Sequence, residues 1–207
     1  MRMMRLAVVA LTVLLAVVVP FSAQAGNFEI TPFAGYTGGG QFTDSVTGTT
    51  FKVDETDNYG VMLDIKQDEQ SQIELYFSHQ PTRLKANNGV FTGKPLFDLD
   101  IDYYHLGGTY GLGTGNVRPF LVGTLGVTHM TPQGAGLDSV TKFSLSLGGG
   151  VKLFATEHIG FRIEGRWFGT IFDGSGAVFC TNGACAINVQ GDLFSQFVAN
   201  GGLIIAF

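Results

Sequence analysis

The sequence predicts an all-β protein, an eight-stranded antiparallel up-and-down β-barrel that crosses a membrane. Three observations carry this. Beyond the first 25 residues the chain falls into segments of alternating apolar and polar residues, with no competing helical period. The connections between those segments run long, short, long, short, long, short, long. The chain also ends on Asn200-Gly-Gly-Leu-Ile-Ile-Ala-Phe207, an alternating strand that stops on an aromatic. Leu203, Ile205 and Phe207 share one face; Gly202, Ile204 and Ala206 share the other. Termini in water normally fray. A flush apolar terminal strand therefore fits best as the last stave of a closed barrel with hydrocarbon outside.

The first 25 residues read as a secretory signal peptide. Arg2 and Arg5 precede an apolar run, Leu6 to Val19, and Ala23-Gln24-Ala25 supplies a small-residue cleavage site. The run holds 14 residues, fewer than the roughly 20 a membrane-spanning helix needs. The expected mature domain is 26–207. Losing two arginines takes the net charge from −5 to −7. An acidic chain with no basic block is a poor partner for nucleic acid. No long apolar run follows residue 25, so a bilayer crossing requires a closed barrel, the one alternative to a helix that satisfies its backbone in lipid.

In order along the chain, Phe28 to Tyr36 is the first strand, with Phe28, Ile30, Ala34 and Tyr36 on one face. Pro32 within it suits an edge or bulge more than a central ladder. Gly38 to Asn58, rich in Gly, Thr, Ser and Asp, reads as a long loop. Tyr59 to Asp68 and Gln72 to His79 form a hairpin over a short polar turn. Pro81 to Phe97 reads as a second long loop. Asp98 to Tyr110 opens with Asp-Leu-Asp-Ile-Asp-Tyr, the clearest alternation in the chain, and blurs past His105, where Gly107-Gly108 suggests a bulge. A Gly-rich turn leads to Arg118–Met130, and Thr131 to Thr141 is a loop. Lys142 to Ala155 and Ile159 to Thr170 flank the minimal turn at 156–158. Ile171 to Gly191 is a loop carrying both cysteines, and Asp192 to Phe207 closes the series. Strands of roughly 9–11 residues suffice to cross hydrocarbon at a tilt, and short turns at one end with long loops at the other is the pattern of outer-membrane barrels.

A soluble eight-stranded barrel also alternates, with its apolar face inward. Here the polar face mixes both signs of charge at mid-strand, at Glu29, Asp64, Lys66, Glu74, Lys142 and Lys152 among others. Aromatics stand near strand ends at Tyr36, Tyr59, Phe77, Phe120, Trp167 and Phe207, where interfacial girdles belong. Both features, with the terminal Phe207, favour the membrane barrel.

Val117-Arg-Pro-Phe-Leu-Val-Gly-Thr-Leu-Gly126 and Gly160-Phe-Arg-Ile-Glu-Gly-Arg166 carry a resemblance to the outer-membrane β-barrel domain family, the small eight-stranded OmpA- and OmpX-like barrels. Asn200 to Phe207 resembles the family's C-terminal assembly signal, with Gly202, Ile205 and Phe207 as its marked positions. The resemblance implies residence in the outer membrane of a Gram-negative bacterium, contact with outer-membrane lipid and lipopolysaccharide, and delivery by the outer-membrane assembly machinery. It says little of activity, since one fold hosts many functions.

The most chemical feature is a lumen charge network. Arg162, Glu164 and Arg166 share one inward face, and Asp98, Asp100 and Asp102 are expected opposite them. Eight strands leave an interior wide enough only for side chains, so pairing and filling is the expectation and an ion path the alternative. Cys180 and Cys185, in an exported chain, are expected to form a disulfide. Of the histidines at 79, 105, 129 and 158, none stands in a Ser–His–acid pattern, and no lipase-type G-x-S-x-G occurs. The acidic stretch Asp54 to Asp57 lacks EF-hand spacing; no metal or cofactor is expected. The leading expectation is a non-enzymatic, monomeric, structural or surface-interacting barrel. A narrow channel for small or hydrophobic solutes and a lipid-A-modifying enzyme are the alternatives.

Overall fold

The computed structural model describes residues 27–43, 50–87, 94–133, 137–172, 176–181, 184–189 and 193–207. The expected signal peptide lies outside the described residues. The strands are β1 (Phe28–Gly39), β2 (Gln41–Thr43), β3 (Thr50–Val53), β4 (Thr56–Lys66), β5 (Ser71–Asn87), β6 (Lys94–Gly111), β7 (Val117–Gln133), β8 (Val140–Phe154), β9 (Ile159–Ile171), β10 (Gly176–Thr181), β11 (Ala184–Val189) and β12 (Leu193–Ala206).

Eight of them close a ring. Each of β1, β4, β5, β6, β7, β8, β9 and β12 pairs antiparallel with the next, and β12 pairs back onto β1. The seam is tied at the chain end: the Phe207 carbonyl accepts from the Asn27 N–H at 3.1 Å, and the Phe207 N–H donates to the Phe28 carbonyl at 2.9 Å. The turns near residues 68, 114 and 157 lie at this same end. In the first of them the backbone N–H groups of Gln70 and Ser71 both donate to Asp68 Oδ1 at 2.8 Å and hold its carboxyl below the ordinary value.

Pro32 lies where the sequence suggests an irregularity. The β1–β12 ladder skips Thr31 and Pro32, while the ladder to β4 runs through them. The missing donor thus falls on one side only. The bulge expected at Gly107-Gly108 does not occur; both ladders of β6 run through it in register, and the shift lies at Leu84/Lys85 instead.

Two stretches expected as loops hold strands. Part of 38–58 forms β2 and β3, with β3 pairing the upper part of β5. Most of 81–97 extends β5 and β6, which reach 17 and 18 residues. At about 3.3 Å per residue and a tilt near 45°, a strand of that length rises roughly 40 Å, well past a hydrocarbon core of about 30 Å. Pro81 is tolerated because it sits between His79, the last residue of β5 paired to β4, and Leu84, the first paired to β3, where that side carries no ladder. The cysteine segment is a hairpin, β10–β11, with Cys180 and Cys185 directly opposite in its register; their side chains lie outside the described residues.

Side chains alternate strictly in and out. On β6 the inward set is Leu99, Ile101, Tyr103, His105 and Thr109, and Tyr104, Leu106 and Tyr110 face out. The parity never changes, but the chemistry does. The lumen is polar and ionic toward the turn end and apolar toward the other, where Val53, Leu84, Leu99, Ile101, Met130, Phe172 and Phe194 pack together.

Candidate functional site

The ionic part of the lumen is assembled from six strands. Arg162, Glu164 and Arg166 follow one another along the inner face of β9. Asp64 comes from β4, Glu74 from β5, Glu29 from β1, Lys152 from β8 and Asn200 from β12; all are buried. Arg162 donates to three carboxylates, Nη2 to Glu74 Oε2 at 2.6 Å, Nη1 to Asp64 Oδ2 at 3.0 Å and Nε to Glu164 Oε2 at 2.9 Å. Arg166 Nη2 reaches Glu74 Oε1 at 2.9 Å and Glu164 at 3.1 Å. Below them Lys152 Nζ lies 2.6 Å from Glu29 Oε2 and 3.6 Å from Asp64 Oδ2. Four carboxylates thus face three cations, a formal excess of one negative charge.

Rings cover the guanidinium faces. Phe120 lies 4.5 Å from Arg162 Cζ, and Tyr76 lies 4.3 Å from Arg166 Cζ. Each arginine therefore has carboxylates at its edge and a π-face above its plane, an arrangement open to a planar guanidinium and not to an ammonium. Phe120 is consequently not a girdle residue, as its position near a strand end suggests. It shares the inward parity of Val122 and Thr124.

An aromatic layer closes the lumen above the charges. Tyr76, Tyr103, His105 and Phe168 are mutually packed, with the Tyr103 and Phe168 centroids 4.2 Å apart. Their polar atoms are satisfied across the barrel. Tyr103 Oη donates to Gln196 Oε1 at 2.6 Å. His105 Nε2 lies 2.8 Å from Ser144 Oγ and its Nδ1 3.0 Å from Thr124 Oγ1. A buried polar group without such a partner would cost roughly 1–3 kcal/mol.

Asp98, Asp100 and Asp102 are not brought to this cluster. Leu99, Ile101 and Tyr103 hold the inward positions of that stretch. The aspartates face outward: Asp98 Oδ1 is 3.2 Å from Arg83 Nε, Asp100 Oδ2 accepts from Gln133 at 2.6 Å, and Asp102 Oδ1 is 2.7 Å from His79 Nδ1. The reason is height. This part of β6 stands above the apolar outer belt, so water lies outside it and the ordinary rule of apolar-in, polar-out returns. The acidic partners of the arginines come instead from Asp64 and Glu74. Their inward parity is readable from their neighbours, since Leu63, Ile65, Ile73 and Leu75 alternate with them on the outer face.

The C-terminal positions fall as the alternation implies. Leu203 and Phe207 face out, Ile204 and Ala206 are buried, and Gly202 packs under Thr31 and Pro32, where a Cβ would lie 2.7 Å from Thr31 Cγ2. The outer belt between the two ends is apolar, with Leu75, Leu106, Leu121, Leu125, Leu147, Phe161 and Ile163 among its exposed residues and Tyr36, Tyr59, Tyr104 and Tyr110 at its margins.

No family model matches the sequence, and no curated protein matches it. Solved structures do. Neisserial surface protein A superposes with a TM-score of 0.59 at 14% identity, covering 89% of this chain and 100% of that one. The outer-membrane protein OprG of Pseudomonas aeruginosa gives 0.54 at 18% identity, over 86% of this chain and 96% of its own. The outer-membrane protein AlkL, solved in lipid bilayers, gives 0.52 at 11% identity, over 90% and 92%. At such identities the likeness is one of fold. The closed ring, the apolar outer belt and these superpositions together give the chain the fold of an eight-stranded antiparallel transmembrane β-barrel.

Proposed function

We propose that the chain is a non-enzymatic integral protein of the bacterial outer membrane that acts through its outer wall and extracellular strands, with a lumen that serves as structural filling. The observation that carries this is the packing of the interior: Arg162, Arg166, Tyr76, Tyr103, Phe168, Phe172 and Phe194 are all essentially inaccessible to solvent and succeed one another along the barrel axis. Short turns and both strand ends of the seam belong on the periplasmic side, and the tall β5–β6 hairpin on the outside. Residues 1–25 supply the export signal, and Gly202, Ile205 and Phe207 the signal read by the assembly machinery. Against catalysis stands the Ser144–His105 pair, which is buried in the lumen with a threonine, not a carboxylate, on the other ring nitrogen. The test is conductance in planar bilayers. The filled lumen gives no reproducible conducting state; discrete single-channel steps abolished by replacing lumen residues would instead establish the narrow channel.

A further inference from the structure

The outer wall over β4, β5, β6 and β7 is concave. A groove of about 360 Å³ is lined by Leu63, Leu75, Tyr104, Leu106, Leu125 and Gly126, among others, within the size range of ligand pockets, roughly 300–1,000 Å³. Immediately above the groove the next outward positions of the same strands turn polar. His79, Asp102 and His129 stand side by side in register across β5, β6 and β7. His79 Nδ1 is 2.7 Å from Asp102 Oδ1, and His129 Nδ1 is 2.7 Å from Thr141 Oγ1. Both rings are held through Nδ1, and neither Nε2 has a hydrogen-bond partner among the described residues.

We propose that this wall binds one lipid of the outer leaflet, with an acyl chain in the groove and a headgroup phosphate against the two Nε2 atoms. The proposal rests on the outer-membrane reading. Within the belt the molecules that reach an apolar concavity are hydrocarbon chains. An apolar groove alone gives little preference, because lipid tails are as apolar as leucine; selection has to come from shape and from the polar row above. That row offers nitrogens. Asp102 is already engaged by His79, Asp98 by Arg83 and Asp100 by Gln133. Asp102 and Thr141 engage Nδ1 of the two rings, which leaves both Nε2 positions to meet a phosphate oxygen. The row lies at the end away from the turns, which selects the outer leaflet and its phosphorylated glycolipid over an inner-leaflet phospholipid.

Native mass spectrometry of the folded barrel tests this, with purified lipid A, dephosphorylated lipid A and phosphatidylglycerol as probes. One lipid A is expected to stay bound in preference to the other two. The double variant His79→Gln/His129→Gln should lose that preference by about tenfold, the effect of one charge-assisted hydrogen bond. Leu125→Trp, or Leu106→Trp should the first not fold, fills the groove and should displace the lipid altogether. Equal retention of the three lipids by the unaltered protein, or unchanged retention in the double variant, overturns the proposal. Membrane fractionation separates the two claims: a barrel found in the outer membrane without lipid preference refutes only the site, and one absent from it refutes the reading beneath.

Discussion

Replacing Arg162 by methionine removes the centre of the lumen network while keeping an unbranched side chain in the same space. Glu74 at 2.6 Å, Glu164 at 2.7 Å and Asp64 at 3.0 Å lose their common partner. Arg166 still holds Glu74 and Glu164, but Asp64 is left with Lys152 at 3.6 Å. The formal charge of the cluster moves from −1 to −2 in an interior without bulk water. Breaking a buried ion pair by removing one partner costs about 3–5 kcal/mol, against a total stability of roughly 5–15 kcal/mol for a typical domain. The variant should therefore lose about a fifth or more of its resistance to urea. Trp167 is the single tryptophan and reports unfolding by fluorescence; gel mobility without heating reports the closed barrel. Adding Asp64→Asn to the variant removes the orphaned charge and should recover about 1 kcal/mol or more, a coupling that a double-mutant cycle measures directly. A stability within about 1 kcal/mol of the parent for Arg162→Met, with no recovery from the second change, would refute the claim that these charges are sealed from water.

Two further outcomes follow from backbone placement. Gly150 faces the lumen, and a Cβ there would lie 2.1 Å from the Ile163 carbonyl, whereas a Cβ on lipid-facing Gly165 meets nothing within 4 Å. Gly150→Ala should abolish the heat-shifted gel species and Gly165→Ala should leave stability within roughly 0.5 kcal/mol; equal effects would mean that the two glycines do not face opposite sides of the wall. Cys180 and Cys185 are backbone partners in the β10–β11 register, so in the exported protein both should resist alkylation until a reductant is added, and labelling without reductant would show free thiols.

Most of the barrel was legible because alternation fixes the facing of every residue on a strand once one is known. The ladder of Arg162, Glu164 and Arg166 could be read inward from Phe161 and Ile163 beside it. The partner strand could not. The segment from Asp98 to Tyr103 has the cleanest alternation in the chain, and the rule of polar-in, apolar-out for a membrane strand turns it the wrong way round. Its facing follows from the belt, where Leu106 and Tyr110 face out, and not from its local chemistry. Phe120 misleads for a similar reason. An aromatic near a strand end fits a girdle, and only its parity with Thr124 and its place beside a guanidinium reveal a lumen residue. The stretches 38–58 and 81–97 read as loops because Pro81 and a Gly/Thr-rich composition mark the end of regular structure in water, yet here a tall neighbouring wall supplies ladder partners.

The inversion along β6 also explains how the register is held. A strand whose two faces have the same polarity can slip by one residue at little cost. Within the belt the outside is hydrocarbon, so contrast across the wall requires a polar interior, which the charge cluster provides. Above the belt the outside is water, so contrast requires an apolar interior, which Leu84, Leu99, Ile101 and Met130 provide. One parity serves both only if the chemistry of each face exchanges at the interface, between His105 and Tyr103 on the inside and between Tyr104 and Asp102 on the outside. A slip of one residue would then be opposed twice, by aspartates driven into the upper core and by leucines driven into the ionic lumen. The lumen is sealed as a consequence: the side chains that oppose slippage at the two heights are the same ones that fill the axis.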